Sequence, residues 1–570
     1  MERFDPDLRA LQEVRDHTRR AVAAQAEAAQ WTQERTDLVC RALVTAVARA
    51  AADLARLAVE ETGMGRVADK VLKNLHASEG VWASIERERT VGVVARDEAR
   101  GVIEVASPIG VVAGIVPTTN PTSTAIGKAL IALKARNAIV ISPHPRAKRC
   151  IRETVEVMRR ALERVGAPAD LIQSLGDPTV ESTQALMRHP DVKLILATGG
   201  AGLVQAAYSS GKPAYGVGPG NVPVYVDRGA DLARAARWIV ASQSFDNATL
   251  CCSEQALVLD RPIAEKLLDA LARRGAHLCS PDETAKLERC ANVDGHMNPK
   301  VVGQDPWRVA ELAGFNVPRS TSVLLAHQKG VGPAFPLSIE ILCPLLSVHV
   351  VDGWEEGCKL SKAILHHGGL GHTIGVWARD AAVLEAWYAQ KPASRIVVNG
   401  PTSQGAVGYS TGLAPSMSLG CGPLAGNITS DNITARHLVN IKRVGLPRPD
   451  WETRYERDVL RVQSMLGQAG VPRGSGLAGD PALEHGAGAP FQRAAPPLEV
   501  PAGVALAPKP TPRPPSQTPS GAPSGAARDA LLAPLLAIPL FAPALADASC
   551  PLGPCRGCPH LNTRTGACTA

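Results

Sequence analysis

Residues 110–143 read GVVAGIVPTTNPTSTAIGKALIALKARNAIVISP. The first eight residues are almost wholly apolar and stop at a proline. A run this short and unbroken suits a strand buried on both faces. STAIGKALIALKAR (123–136) has the length and residue types of a helix, and NAIVISP (137–143) is a second apolar run. Strand, helix and strand in this order predict parallel strands in a sheet covered by helices.

The same texture extends outward in both directions. RAKRCIRETVEVMRRALERVG (146–166) is a further helix, and LIQSLG, VKLILATGG and NVPVYVD are further strands. After residue 251 the alternation resumes with EQALVLD, RPIAEKLLDALARRGA, LLSVHVVD, GHTIGVWA and SRIVVNG. Residues 7–80 carry apolar positions at helical spacing. The reading is an α/β protein with two units, changing near residue 245 and ending near 440, where RHLVNIKRVG returns to the first. DWETRYERDVLRVQSMLGQAG (450–470) is one more helix.

Composition limits the function classes. The 570 residues are 45% hydrophobic with only 4% aromatic. A chain of this length buries more than one core. The net charge of +7 comes from 61 basic and 54 acidic residues without a long basic block, which argues against nucleic acid. The charged N-terminus has no apolar signal core, and no run reaches the roughly 20 apolar residues a membrane span needs. With 13 cysteines and no dense framework through the body, the expectation is a cytoplasmic protein with free thiols.

The chemistry-bearing stretch is SFDNATLCCSEQ (244–255). A thiolate is the strongest side-chain nucleophile near neutral pH, and its thioester stays reactive. The stretch itself does not say which of Cys251 and Cys252 acts. Thr198, Gly199 and Gly200 follow a strand and open a helix, where backbone N–H groups can approach a phosphate, although this is not the G-x-G-x-x-G pattern. HHGGLGHT brings His367 and His372 into a glycine-rich loop with no third ligand at metal spacing. Asn120 taken alone is a turn residue before Pro121, and Glu340 a surface acid.

These motifs occur together and in order: the 110–143 segment, FDNATLCCSEQ, HHGGLGHT and LAPSMSLGCGPLAGN. The set resembles the CoA-acylating aldehyde dehydrogenases over residues 7–445. The resemblance includes the aldehyde dehydrogenase half of bifunctional aldehyde–alcohol dehydrogenases and the propanal and acetaldehyde dehydrogenases of bacterial microcompartments. It implies two Rossmann-like domains, dinucleotide-binding at 1–244 and catalytic at 245–435, with a small oligomerisation element and a return segment at 436–471. The register before Ser-Glu-Gln implies Cys251 as nucleophile, with Cys252 a packing residue. Asn120 corresponds to a side-chain donor to the oxyanion, and His372 to a group for orientation or proton transfer, with a structural histidine as the alternative. Ser142, Pro143, His144 and Arg146 match the adenosine side of a bound NAD, Thr198, Gly199 and Gly200 its nicotinamide and pyrophosphate, and Glu340 its ribose.

Hydrolytic members of the superfamily carry a glutamate that activates water. The corresponding stretch here is YGVGPGNVPVYV, with Gly216 and Val217 in place of a carboxylate. Glu254, three residues after Cys251, is expected to be structural. The implied reaction is oxidation of propanal or acetaldehyde to its acyl-CoA, with NAD and coenzyme A, in a homo-oligomer. A hydrolytic enzyme, a sulfoacetaldehyde dehydrogenase and a scaffold protein are the alternatives.

Residues 472–527, rich in Pro, Gly, Ala and Ser, read as a disordered linker. The 528–570 segment is apolar, holds Pro534, Pro539 and Pro543, and ends in cysteines. It resembles the encapsulation peptides that dock enzymes to microcompartment shell or cargo proteins. Cys550, Cys555, Cys558 and Cys568 could hold a metal or cluster, at spacings matching no standard site.

Overall fold

The computed structural model of the chain describes residues 5–468. The linker, apolar segment and C-terminal cysteines lie outside them. No helix of the described residues is long and apolar enough to cross a membrane.

The 110–143 segment forms the expected unit. Strand Val111–Val116 leads through helix Pro121–Lys134 to strand Ala138–Pro143. The strands are parallel, with Val111 opposite Ala138 and Val116 opposite Pro143. Strand Val111–Val116 is central in a five-stranded sheet, flanked on its other side by Val192–Thr198. Ile172–Ser174 and Ala214–Val217 complete the two edges. The chain thus builds outward from one central strand, first to one side and then to the other. The reversal leaves a crevice beyond the carboxyl ends of Val111–Val116 and Val192–Thr198, where ligands bind in open α/β sheets.

Helices Pro6–Ala28 and Gln33–Thr62 pack into the core of this sheet, where Val14, Val39, Leu43 and Leu54 meet Val111, Ile139 and Leu196. Gln33–Thr62 begins at Thr32, whose side chain accepts from Arg35 N–H, and ends at Gly63 in the left-handed region.

The second sheet has seven parallel strands. Its middle strands are Glu254–Asp260 and Val222–Val226. Val222, Val224, Val226, Leu257 and Leu259 enter one core; Tyr225, Ala256 and Val258 enter another. Alternate residues face opposite sides of a strand, so a sheet covered on both faces yields unbroken apolar runs. That property also explains a difference from the sequence reading. The sequence places the change of unit near 245, whereas Val222–Val226 already belongs to the second sheet. A doubly buried strand reads alike in either sheet.

Seven strands are unread in the sequence: Gly92–Asp97, Val102–Pro108, Ala214–Val217, Ala276–Leu278, Asn292–Val293, His296–Met297 and Val323–His327. A small antiparallel sheet joins Gly92–Asp97, Val102–Pro108 and Val439–Gly445, the last being the predicted return segment. Helix Trp451–Gln468 follows with no buried residue.

The doubly covered five-stranded sheet should be sensitive to truncation. Ile141 is fully buried in Ala138–Pro143, and Ile141→Ala should cost about 2–5 kcal/mol, read by urea denaturation.

Candidate active site

Cys251 is reached through an unusual turn. Helix Leu232–Ser244 runs into Phe245–Ala248, where Asp246, Asn247 and Ala248 have φ of +47°, +52° and +56°. Left-handed backbone costs an L-residue roughly 1–2 kcal/mol, so three in succession need external support. The fully buried Asp246 carboxylate supplies it. Oδ1 accepts Arg66 N–H at 2.7 Å, and Oδ2 accepts Lys70 Nζ at 3.0 Å, the Thr249 hydroxyl at 2.6 Å, and Lys73. Asp246 N–H donates to Asp69 Oδ2 at 2.8 Å. Asn247 Nδ2 donates to the Gly303 carbonyl at 3.0 Å. The buried lysines offset the desolvation of Asp246, and its carboxyl lies below the usual range.

The Cys251 thiol lies 3.2 Å from His372 Nε2. His372 stands at the start of strand Gly371–Trp377, fully buried, with Nδ1 3.0 Å from the Thr373 hydroxyl. Arg395 donates to the His372 carbonyl at 2.8 Å and the Thr373 hydroxyl at 3.3 Å. Burial, followed by the Arg395 charge, lowers His372 to about 3. Its imidazole is therefore neutral at physiological pH. Burial raises the Cys251 thiol well above its ordinary value, reinforced by Cys252, Glu340 and Cys421 and opposed by Arg395. The resting pair is a neutral thiol beside a neutral imidazole. A Cβ on Gly220 would sit 2.0 Å from the Cys251 carbonyl oxygen, so only glycine permits this approach.

Cys251 borders a cavity of about 720 Å³ at the crevice of the first sheet. Asn120, Ser142, Pro143, His144, Thr198, Gly199, Gly200 and Glu340 all line it. Arg146 does not: it is exposed on a turn whose N–H donates to His144 Nδ1 at 3.1 Å. Glu340 Oε1 accepts Gly220 N–H at 2.8 Å, and burial raises its carboxyl to about 8. Asn120 Nδ2 donates to the Thr249 carbonyl at 2.9 Å and the Thr119 hydroxyl at 3.2 Å.

Of the two positions read for the missing carboxylate, Val217 lines the cavity. Gly216 is walled off instead, since a Cβ there would meet Tyr208 and Val204 at 2.5 and 2.6 Å. Cys252 is buried with its thiol 3.4 Å from the Ser403 carbonyl, and both neighbouring cysteines are free. Glu254 is buried and accepts Thr402 N–H at 2.9 Å, away from the cavity lining. His367 is exposed at the end of helix Gly353–His367.

Sequence reading missed Lys70, Lys73, Asp246 and Arg395. The two lysines stand three apart on a short helix, a pattern that ordinarily marks a solvated face. Their buried acidic partner lies more than 170 residues away in sequence. Only the turn-rich FDNAT stretch hinted at special backbone.

Because the Cys251 thiol is raised, iodoacetamide labelling should climb about tenfold per pH unit from pH 6 to 9, following the thiolate fraction. Peptide mapping checks this. A labelling rate already level below pH 7 would contradict the neutral pair.

The family model for the aldehyde dehydrogenase family matches residues 8–287. The bifunctional aldehyde-alcohol dehydrogenase AdhE of Escherichia coli is 43% identical over 430 residues, 75% of this chain and 48% of that protein. This chain thus spans about half the length of that relative. An acetylating aldehyde dehydrogenase from Geobacillus thermoglucosidasius is 49% identical with a TM-score of 0.77, covering 78% of this chain and 98% of that one. A Rhodopseudomonas palustris propionaldehyde dehydrogenase, solved with bound propionyl-CoA, is 28% identical with a TM-score of 0.68 over 76% of this chain and 94% of that one. With the Cys251 thiol lining the crevice and a relative covered almost end to end at nearly half identity, the chain belongs to the aldehyde dehydrogenase family.

Proposed function

We propose that the protein oxidises propanal or acetaldehyde to its acyl-CoA, using NAD, through a thioester on Cys251. The observation that carries this reading is Cys251, paired with His372, lining a cavity where Val217 stands in place of a water-activating carboxylate.

The Cys251 sulfur attacks the aldehyde carbonyl as its proton passes to His372 Nε2. Desolvation makes His372 a weak base in the resting site, so the transfer is coupled to attack rather than completed beforehand. Asn120 Nδ2 and backbone amides at Cys251 receive the oxyanion of the adduct. One such donor contributes roughly 3 kcal/mol to the transition state. The residues lining the cavity support binding of a dinucleotide. Ser142, Pro143 and His144 would hold the adenosine end, and Gly199 and Gly200, opening helix Ala201–Tyr208, the phosphates. Glu340 would take a ribose hydroxyl. Bound NAD supplies the acceptor for the hydride leaving the adduct.

The thioester then meets no carboxylate at Val217 to activate water. The thiol of coenzyme A, a better nucleophile than water, takes the acyl group. His372, once the first proton has passed to solvent, accepts the CoA proton and returns it to the departing Cys251 sulfur. Thioester exchange is nearly isoenergetic, so the acyl-transfer step can run in either direction.

The exposed edges of the small antiparallel sheet, including Val444, support a homo-oligomer. The apolar composition of 528–570 supports docking of the enzyme inside a microcompartment.

NADH formation from propanal tests the reaction. CoA should raise the steady-state rate at least about tenfold, and acyl-CoA should accumulate. Equal rates without CoA, yielding free acid, would favour hydrolysis. Cys251→Ala should abolish turnover and Cys252→Ala should retain most of it; the reverse would reassign the nucleophile.

A further inference from the structure

The side-chain amide of Asn120 ends in an oxygen and a nitrogen of nearly equal size, so packing does not choose which faces the cysteine loop. Charge chooses. Lys73 Nζ donates to Asn120 Oδ1 at 2.5 Å. An ammonium has hydrogens and no lone pair, so it donates to the amide oxygen and has nothing to offer the NH₂. The NH₂ therefore points the other way, to the Thr249 carbonyl two residues before Cys251.

Lys73 is itself tightly held. It is 4% exposed and also meets Asp246 Oδ2 and the Thr249 hydroxyl, the latter at 3.2 Å. It arises from helix Val67–Leu75, outside both large sheets, and does not line the cavity. One ammonium thus touches Asn120, the left-handed turn and Thr249 together.

We infer that Lys73 is a positioning residue for aldehyde oxidation: it sets the orientation of the Asn120 amide so that Nδ2 serves as donor to the adduct oxygen on Cys251. The adduct oxygen would replace the longer of the two Nδ2 contacts, 3.2 Å to the Thr119 hydroxyl. The inference rests on the reading of Asn120 as the oxyanion donor.

A pH signature accompanies it. The charged groups facing Lys73 are Asp246, Lys70 and Asp69, and burial is the largest influence, lowering Lys73 to about 8. The ammonium is present below that pH and is lost as pH rises through it. The orientation of Asn120 is thus charge-fixed at pH 7 and loosens in alkali. Arginine keeps its charge throughout.

The test is the single-turnover NADH burst with saturating propanal and no CoA, measured from pH 6.5 to 9.5. Lys73→Met should slow the burst about 10²-fold, comparable with loss of one oxyanion donor, while half-saturation by aldehyde moves less than about threefold. Lys73→Arg should recover most of the rate and shift the alkaline limb upward. Lys73→Met combined with Asn120→Ala should be no slower than Asn120→Ala alone, because both act through one donor.

A folded Lys73→Met enzyme with a wild-type burst beside a slow Asn120→Ala would overturn the inference alone. So would a strictly multiplicative double variant, or a Lys73→Arg limb unmoved from wild type; this last readout remains if Lys73→Met fails to fold. Asn120→Ala with a wild-type burst would instead overturn the oxyanion reading beneath it.

Discussion

One buried carboxylate carries the geometry of this site. Asp246 sits in a backbone region that residues with a Cβ avoid, at the first of three such positions. Its oxygens bind a backbone amide, two lysines and a hydroxyl. Removing it would leave two ammonium groups buried without their counterion, a loss of the order of 3–5 kcal/mol. It would also release the turn that delivers the chain from helix Leu232–Ser244 to Cys251. The ionic cluster contributes position more than stability, since its desolvation offsets much of its attraction. The same cluster reaches Thr119 and Asn120, so the Cys251 loop and the crevice wall share one anchor.

The opposite side of Cys251 is fixed by close backbone approach. Gly220 lies against the Cys251 carbonyl, Gly369 against the Asn221 amide and Gly371 against the Cys421 carbonyl, each where a Cβ would come within 2.2 Å. These approaches bring His372 to the thiol and exclude water from behind it. Exclusion of water has an electrostatic consequence. Neither thiol nor imidazole gains by ionising in the resting site, and the guanidinium of Arg395 opposes protonation of His372.

How much of this was legible beforehand depended on the length scale of each cause. Strand Val111–Val116 and its crossover partners announce themselves through local apolar runs, because burial on both faces acts residue by residue. Cys251, Asn120, His372 and the glycine turn were visible through motifs in order, and the cavity gathers all but His372, which stands behind the thiol. Lys73 and Asp246 were not visible. Their meaning lies in a contact across 173 positions of chain, and each residue alone is ordinary surface chemistry. Val222–Val226 shows the complementary limit: its strand character is local, and its choice of sheet is set by partners elsewhere.

The covalent step can be observed directly. Enzyme incubated with propanal and NAD in the absence of CoA is digested under acid conditions and mapped by mass spectrometry. A propionyl group should be found on the peptide containing Cys251, localised to that sulfur, and CoA should discharge it far faster than buffer does. An acyl group on Cys252, or a Cys251 adduct that water and CoA remove at the same rate, would contradict acyl transfer through Cys251 to coenzyme A.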